Sequence, residues 1–472
     1  MNYLDKIQCF SDVSINVEKY TNRTSVVGIR IAIPDLYFRI IFSYDRSVEN
    51  SENIAGLSGL AALLNYAMFI DRITVNFPVS NADIEFIQEM ARLNNTEVFV
   101  NRLCRRRYDF FIHEIIPEEE DINRINAEGA TEFYFNFSYE DQQRNSGDRV
   151  AVLSSGGKES LMTTGLMEEI GEKPLAMFFN ESGGHWKLAL PSHRFFHDIG
   201  LESIKVWSNV DRFYNFMNRN MKILTERAFK WADDYPVQLF TFPVYLISFI
   251  PALIKFGIGN ILMGNEFDDP LEEPPFHGIR HYYGVYDQTP DFQKRFSKYL
   301  KEKGISANLW SAVYPIYGGV VEDILVNRYP NLYALQRSCH SCHYDNDGNV
   351  VPCGKCSKCL GVRLFIEYSN GDPGKIFYPE KTNLLSLVEK ERLKLDPDEI
   401  KCMLDGIRNG KFMKNTHVSG IHVLPNETMP FSQIPDRFQG PVRKIISQYT
   451  SGYWELKNNR WVQYIPELSQ NI

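Results

Sequence analysis

No stretch of this 472-residue chain is both long and apolar enough to cross a bilayer as a helix. The two most apolar runs are Ile54 to Ile70 and Phe240 to Ile254. Both are short or interrupted by polar residues, and the second contains Pro243 and Pro251, so buried helices are expected in their place. Met1 to Ser14 carries acidic residues and no apolar run, which argues against a secretory signal. The sequons at Asn22 and Asn136 then carry no information, and a cytoplasmic protein is expected. Internal repeats and low-complexity tracts are absent. An excess of positive charge is missing too. The formal net charge is −8 and there is no long basic stripe, so nucleic acid is not an expected partner. The short run Arg105-Arg106-Arg107 reads as solvated surface. Cysteine is sparse outside one place: Cys9, Cys104 and Cys402 are scattered, while the other five of eight fall between Cys339 and Cys359. In a reducing compartment such a cluster means metal more often than disulfide.

The length suffices for two or three domains. Residues 1–145 read as an α+β segment. Val26 to Ile33 and Leu36 to Phe42 form a hairpin pattern across Pro34-Asp35, Ile54 to Ile70 has helical spacing, and Ile73 to Phe77 reads as a strand. Asp83 to Leu93 reads as a helix capped by Asn81. The polar stretch Glu140 to Asp148 is the expected linker. After it, strands at Arg149–Leu153, Pro174–Phe179, Ile204–Trp207 and Asn260–Gly264 alternate with helices at Glu159–Ile170 and Phe242–Phe256, and a turn is expected at Gly183-Gly184. That order predicts an α/β domain with a parallel sheet over 148–370. Residues 371–472 read as an extension, helical to about residue 410 and then loop-rich and aromatic, with Tyr453, Trp454 and Trp461.

The strand Val150-Ala151-Val152-Leu153 must turn sharply into a helix through Ser154-Ser155-Gly156-Gly157-Lys158-Glu159-Ser160. The two glycines permit that turn and let main-chain N–H groups approach an anion. The helix N-terminus adds partial positive charge and unpaired donors. Ser155 and Ser160 can donate hydroxyl bonds, Lys158 can offer a full charge to phosphate oxygens, and Glu159 can hold Mg²⁺. A Walker A loop is excluded, because Gly-Lys is followed by Glu and no Gly lies five residues earlier. The run resembles instead the Ser-Gly-Gly-x-Asp-Ser signature of the PP-loop ATP pyrophosphatase family, with Glu159 where most members carry Asp. The resemblance implies an ATP-binding fold of that type, cleavage of ATP between the α and β phosphates, and adenylation of a substrate oxygen, with Lys158 and Glu159 as catalytic residues. By position, Phe179, Asn180 and Glu181 are candidates for the adenine side. Gly264-Asn265-Glu266, followed by Asp268-Asp269, closes a later strand at the same sheet edge and should face the nucleotide.

The cysteines are spaced Cys339-x2-Cys342-x10-Cys353-x2-Cys356-x2-Cys359. Thiolates two residues apart can share one metal from a tight knuckle, and four make a closed tetrahedral zinc site. Asp347-Gly348 is a hairpin signal between the halves. Which four bind stays open, and His340 and His343 are substitutes. The run Cys353 to Cys359, with Arg363 just after, resembles the Cys-Gly-x-Cys-x-x-Cys run of 7-cyano-7-deazaguanine synthase and its relatives. That resemblance implies that Cys353, Cys356 and Cys359 bind zinc with one more ligand from upstream, and both Cys339 and Cys342 fit. An iron–sulfur cluster is the alternative.

The two resemblances span roughly residues 148–370, in the family's order. They imply an ATP-dependent ligase that adenylates a 7-carboxy-7-deazaguanine-like carboxylate, releases pyrophosphate, and passes the acyl group to ammonia or a protein amine. Relatives with an extra N-terminal domain resemble synthase-like proteins of antiphage operons, which implies that residues 1–145 recognise an acceptor or partner protein. ATP, Mg²⁺ and Zn²⁺ are the expected cofactors. A sulfurtransferase acting on tRNA or a small molecule, and a non-catalytic nucleotide-binding scaffold, are the competing readings. His185, His193, His277 and His281 could serve in acid–base work, but no spacing singles one out.

Overall fold

Alternating apolar residues in the first part of the chain and continuous apolar runs in the second build one ten-stranded sheet in the computed structural model. The structure describes residues 2–465 apart from 107–108, 145–146, 184, 231–234, 268–272, 283, 379–383, 389–392, 394, 411–414, 425–426, 428 and 459. The strands are β1 (Phe10–Tyr20), β2 (Thr24–Ile31), β3 (Leu36–Tyr44), β4 (Ile70–Val79), β5 (Glu132–Ser138), β6 (Arg149–Leu153), β7 (Leu175–Asn180), β8 (Ser203–Ser208), β9 (Ile258–Met263) and β10 (Asn308–Ser311). They lie in the order β10-β9-β6-β7-β8-β3-β2-β1-β4-β5.

From β10 to β8 every pairing is parallel. β9 is buried along its whole length, as a strand covered on both faces must be. β1, β2 and β3 form an antiparallel meander, and β4 and β5 add parallel strands beside β1. The two parts meet at one antiparallel seam, where Phe42, Ser43 and Tyr44 pair with Ser208, Trp207 and Val206. One apolar core runs across the expected boundary at residue 145, joining Val27, Ile40 and Phe42 to Val206, Ile250 and Ile261.

The linker is tied down at both ends of its first half. The buried ammonium of Lys303 donates to Asp83 (2.8 Å), Asp141 (3.0 Å), Asn53 (3.1 Å) and Tyr139 (3.1 Å), and the Arg144 N–H donates to the Gly304 carbonyl (2.9 Å). No helix or strand forms over Glu140 to Asp148 among the described residues.

The hairpin and the helix at Phe242–Phe256 follow the sequence pattern, while the helix expected over Ile54 to Ile70 runs only over Glu52–Leu64, and Ile70 instead opens β4. Three further expectations change. The helix Asn81–Val98 is capped by Ser80, not Asn81, because Ser80 and Asp83 exchange a reciprocal capping box. β1, β5 and β10 emerge where no strand was expected, since β1 ends in exposed Glu18-Lys19-Tyr20, β5 carries aromatics on both faces and β10 is only four residues long. The tail contains a helix, Asp436–Ile446, and a hairpin of Tyr453–Lys457 with Arg460–Tyr464, where loops were expected.

Candidate functional site

β6 is the strand at which the order of the parallel part reverses. The chain runs from it to β7 and β8 on one side, then crosses to β9 and β10 on the other. Ligands of open α/β sheets bind outside the carboxyl ends of strands at such a crossing. Ser154 to Gly157 lie there, between β6 and α1 (Lys158–Glu169). Gly156 has φ +80°, and a Cβ on it would stand 2.6 Å from the carbonyl oxygen of Leu188 in α2 (His185–Asp198). Both facts demand glycine. Gly157 is the N-cap of α1 and offers no side-chain cap, so the first-turn donors and the positive helix end face the loop.

Local bonds set the loop's shape. The Ser154 N–H donates to Met177 O (2.8 Å), Ser155 Oγ accepts from Gly157 N (3.3 Å), and the Ser160 hydroxyl donates to Gly157 O (3.1 Å).

Lys158 departs from the expected outward reach. Its side chain is 6% exposed and its ammonium donates to both Glu159 (2.5 Å) and Glu266, 4.7 Å above the Phe365 ring of α4 (Ser357–Tyr368), a helix that packs with α3 (Gly318–Arg328). The cause is the turn after β9. A Cβ on Gly264 would lie 2.6 Å from Glu159 Cβ, and this close approach brings Glu266 to the lysine. The structure thus joins the Ser154–Ser160 loop to Gly264 and Glu266. Burial pushes the Glu159 carboxyl up, but the Lys158 charge beside it outweighs that and holds it below its ordinary value.

Asn265 turns the other way. It accepts from Gln293 Nε2 (3.3 Å), and its carbonyl accepts from the Ser311 hydroxyl (2.6 Å), so it locks β9 to β10. Phe179 packs on Tyr245 with ring centres 4.3 Å apart, Asn180 Oδ1 accepts from Ser182 N (2.9 Å), and Glu181 is buried. Asp268, Asp269 and Gly184 lie outside the described residues.

Two residues that the sequence did not single out complete the surroundings. Glu322 in α3 is fully buried; burial pushes its carboxyl up to about 8 against the pull of Lys158. Its Oε2 accepts from Gln336 Nε2 (3.0 Å), and its Oε1 has no hydrogen-bond partner. Beside Asp323 in the same helix, Glu322 has no spacing signal that marks it as the buried acid, so only the docking of α3 on α1 reveals it.

The sulfurs of Cys339, Cys353, Cys356 and Cys359 all lie within 4.8 Å of one another and could hold a metal ion such as zinc. The Cys339–Cys356 and Cys353–Cys359 separations are 4.0 and 3.8 Å. A tetrahedron with metal–sulfur bonds of about 2.3 Å needs sulfurs about 3.8 Å apart, so the donor set fits. Main-chain N–H groups already point at the sulfurs: Ser341 and Cys353 donate to Cys339 (3.2 Å each), and Cys359 donates to Cys356 (3.4 Å). The N-terminus of α4 begins inside the cluster, with Cys356 as its N-cap. Cys342 is not a member, so of the two upstream candidates it is Cys339 that the fold brings to the downstream run. Cys339 and the downstream run fill all four corners, and Cys342 precedes the hairpin of His343–Tyr344 with Val350–Val351. His340 and His343 are outside the group as well.

His193 packs edge-on to Phe178 (5.0 Å), and burial lowers its affinity for a proton. His277 sits in a turn and His281 is buried, while the His185 side chain is outside the described residues. A polar hollow of about 560 Å³, lined by Glu49, Asn50, Ser51, Gln142, Arg144 and Ile254, opens beside the linker and not beside the loop. No helix among the described residues is long and apolar enough to cross a membrane. A scan against protein-family models returns no match for this chain, and a search of curated proteins returns none.

Proposed function

We propose that the protein is a PP-loop type, ATP-dependent ligase that adenylates a deazapurine-like carboxylate and passes the acyl group to ammonia or a protein amine. The observation that carries the reading is the Ser154–Gly157 loop standing at the crossing between β6 and β9, with Gly156 at φ +80° and an uncapped helix behind it. This is the arrangement that receives phosphate oxygens on main-chain N–H groups.

In the proposed reaction a carboxylate oxygen attacks the α-phosphorus and pyrophosphate leaves. The amine then attacks the acyl carbon, AMP leaves with the former acyl C–O bond broken, and the nitrogen gives up one proton to solvent. Glu159 and Glu266, which pair with Lys158, would hold Mg²⁺, and the ion would neutralise phosphate charge. Lys158 would exchange its two carboxylate partners for phosphate oxygens. The cysteine cluster would hold zinc in a structural role, every corner being sulfur. Residues 1–145 would recognise an acceptor or partner protein.

The test is direct: incubate the full chain with ATP, Mg²⁺ and 7-carboxy-7-deazaguanine, with ammonia or a candidate protein amine, and follow AMP and pyrophosphate. Release of both supports the reading; no AMP with either acceptor removes it. A second reading, a nucleotide-binding scaffold without turnover, draws on the enclosure of Lys158 by Glu159 and Glu266. ATP binding without AMP formation would favour it.

A further inference from the structure

The loop and the cysteine cluster share one short piece of chain. Gln336 donates its side-chain amide to Glu322 Oε2 (3.0 Å), beside Lys158. Arg337 donates its main-chain N–H to the carbonyl of Gly156 (3.0 Å) in the loop itself. Ser338 offers its carbonyl to the Tyr378 hydroxyl (2.5 Å) and faces the Cys359 sulfur at 4.0 Å. Cys339 is the upstream corner of the sulfur group. Four consecutive residues therefore each make a link, the first two to the loop side and the last two to the cluster side.

The segment is also stiff. The Arg337 guanidinium is buried and donates to three main-chain carbonyls: Val350 (2.9 Å), Ala334 (3.1 Å) and Gln336 (2.8 Å). The Val350 bond ties it to the hairpin that leads back into Cys353. It also lies 4.7 Å over the Phe377 ring. On α2, the Leu188 carbonyl stands where a Cβ on Gly156 would meet it at 2.6 Å, so the loop has a second close neighbour there.

We propose that Gln336 to Cys339 is a tie bar through which a metal in the cysteine cluster fixes the conformation of the 154–160 loop, with Gln336 and Arg337 as positioning residues. The functional meaning rests on the loop binding phosphate; the mechanical link does not. With metal bound, Cys339 is held and Arg337 presents its N–H to Gly156, so the loop keeps the left-handed turn. Without metal, crowded thiols have no common partner, Cys339 is released, and the Gly156 carbonyl loses its donor. Since the loop and the metal bias the same segment, occupancy of either site stabilises the other.

The experiment is hydrogen exchange by mass spectrometry on the full chain, with and without its metal, in the absence of nucleotide. Removing the metal should speed exchange at Arg337 and across 153–161 about tenfold or more, while β1 to β3 stay protected. If stripping also opens β1 to β3, R337M and Q336A in the metal-loaded protein replace it. Each should keep about one metal per chain and still raise exchange across 153–161 severalfold. Loop exchange within about twofold of the native protein, in the stripped chain or in both metal-loaded variants, overturns the proposal. Because no nucleotide is present, a failed ATP assay leaves this result untouched, and an unchanged loop leaves the ATP reading untouched.

Discussion

Glu322 keeps its proton at neutral pH because its carboxyl is enclosed by protein and only partly compensated by Lys158. Its pKa rises from 4.5 in the open chain to about 8 in the fold. Between those values the unfolded chain binds fewer protons than the native one, so this group makes stability fall as pH rises, and its full cost is reached above about 8. The variant Glu322→Gln keeps the shape and removes the titration. Its stability relative to the native protein should improve between about pH 5 and pH 8 by roughly 1–3 kcal/mol, measured by denaturant midpoints. Curves that run parallel across that range would count against the buried, proton-holding state. At this scale the sequence was legible where backbone demands a residue type: Gly156 and Gly157 announce the turn. Glu322 and Gln336 were not, because their roles arise from helices meeting in space.

At the scale of elements, the cysteine group separates two neighbours that spacing alone could not. Cys339→Ser should drop bound metal to a small fraction of one per chain, whereas Cys342→Ser should leave it unchanged, by elemental analysis of purified protein. Zinc without iron in the same measurement would also dispose of the iron–sulfur alternative. Loss of metal in both variants would put Cys342 back among the ligands. The helix start is also corrected at this scale, since Asn81 was the expected cap. Both Ser80 and Asn81 are good caps by chemistry, and the choice falls to the residue whose side chain meets the N–H of Asp83. Ser80→Ala should therefore cost about 1 kcal/mol in thermal or chemical unfolding, and Asn81→Ala only a few tenths. The parallel strands β6 to β9 were readable as apolar runs bounded by turns, while β10, only four residues long, and β5, with Phe137 and Tyr134 exposed on its two faces, were not.

For the whole molecule the telling interaction is Lys303, which gathers residues of the first segment, the linker and the parallel part around one buried charge. Replacing it by methionine strands Asp83 and Asp141 without their cation. A destabilisation of about 3–5 kcal/mol is expected, read as an earlier loss of structure common to both parts of the sheet. Separate transitions for the two parts would show instead that they are joined only loosely. The composition shift at the linker marked where the chain changes pattern. It could not show that the sheet continues across it, because strand pairing between Phe42–Tyr44 and Val206–Ser208 leaves no trace in either segment alone.

That seam sets a timetable for synthesis. β3 pairs on one side with β2 at once, but its other side waits for β8, about 160 residues later. At ribosomal speeds of roughly 5–20 residues per second, the Leu36–Tyr44 edge stands open for about 8–30 s. Over that interval an unpaired apolar strand edge is available to any passing chain. The nascent protein is most exposed to wrong pairing there, and a chaperone would do the most good there.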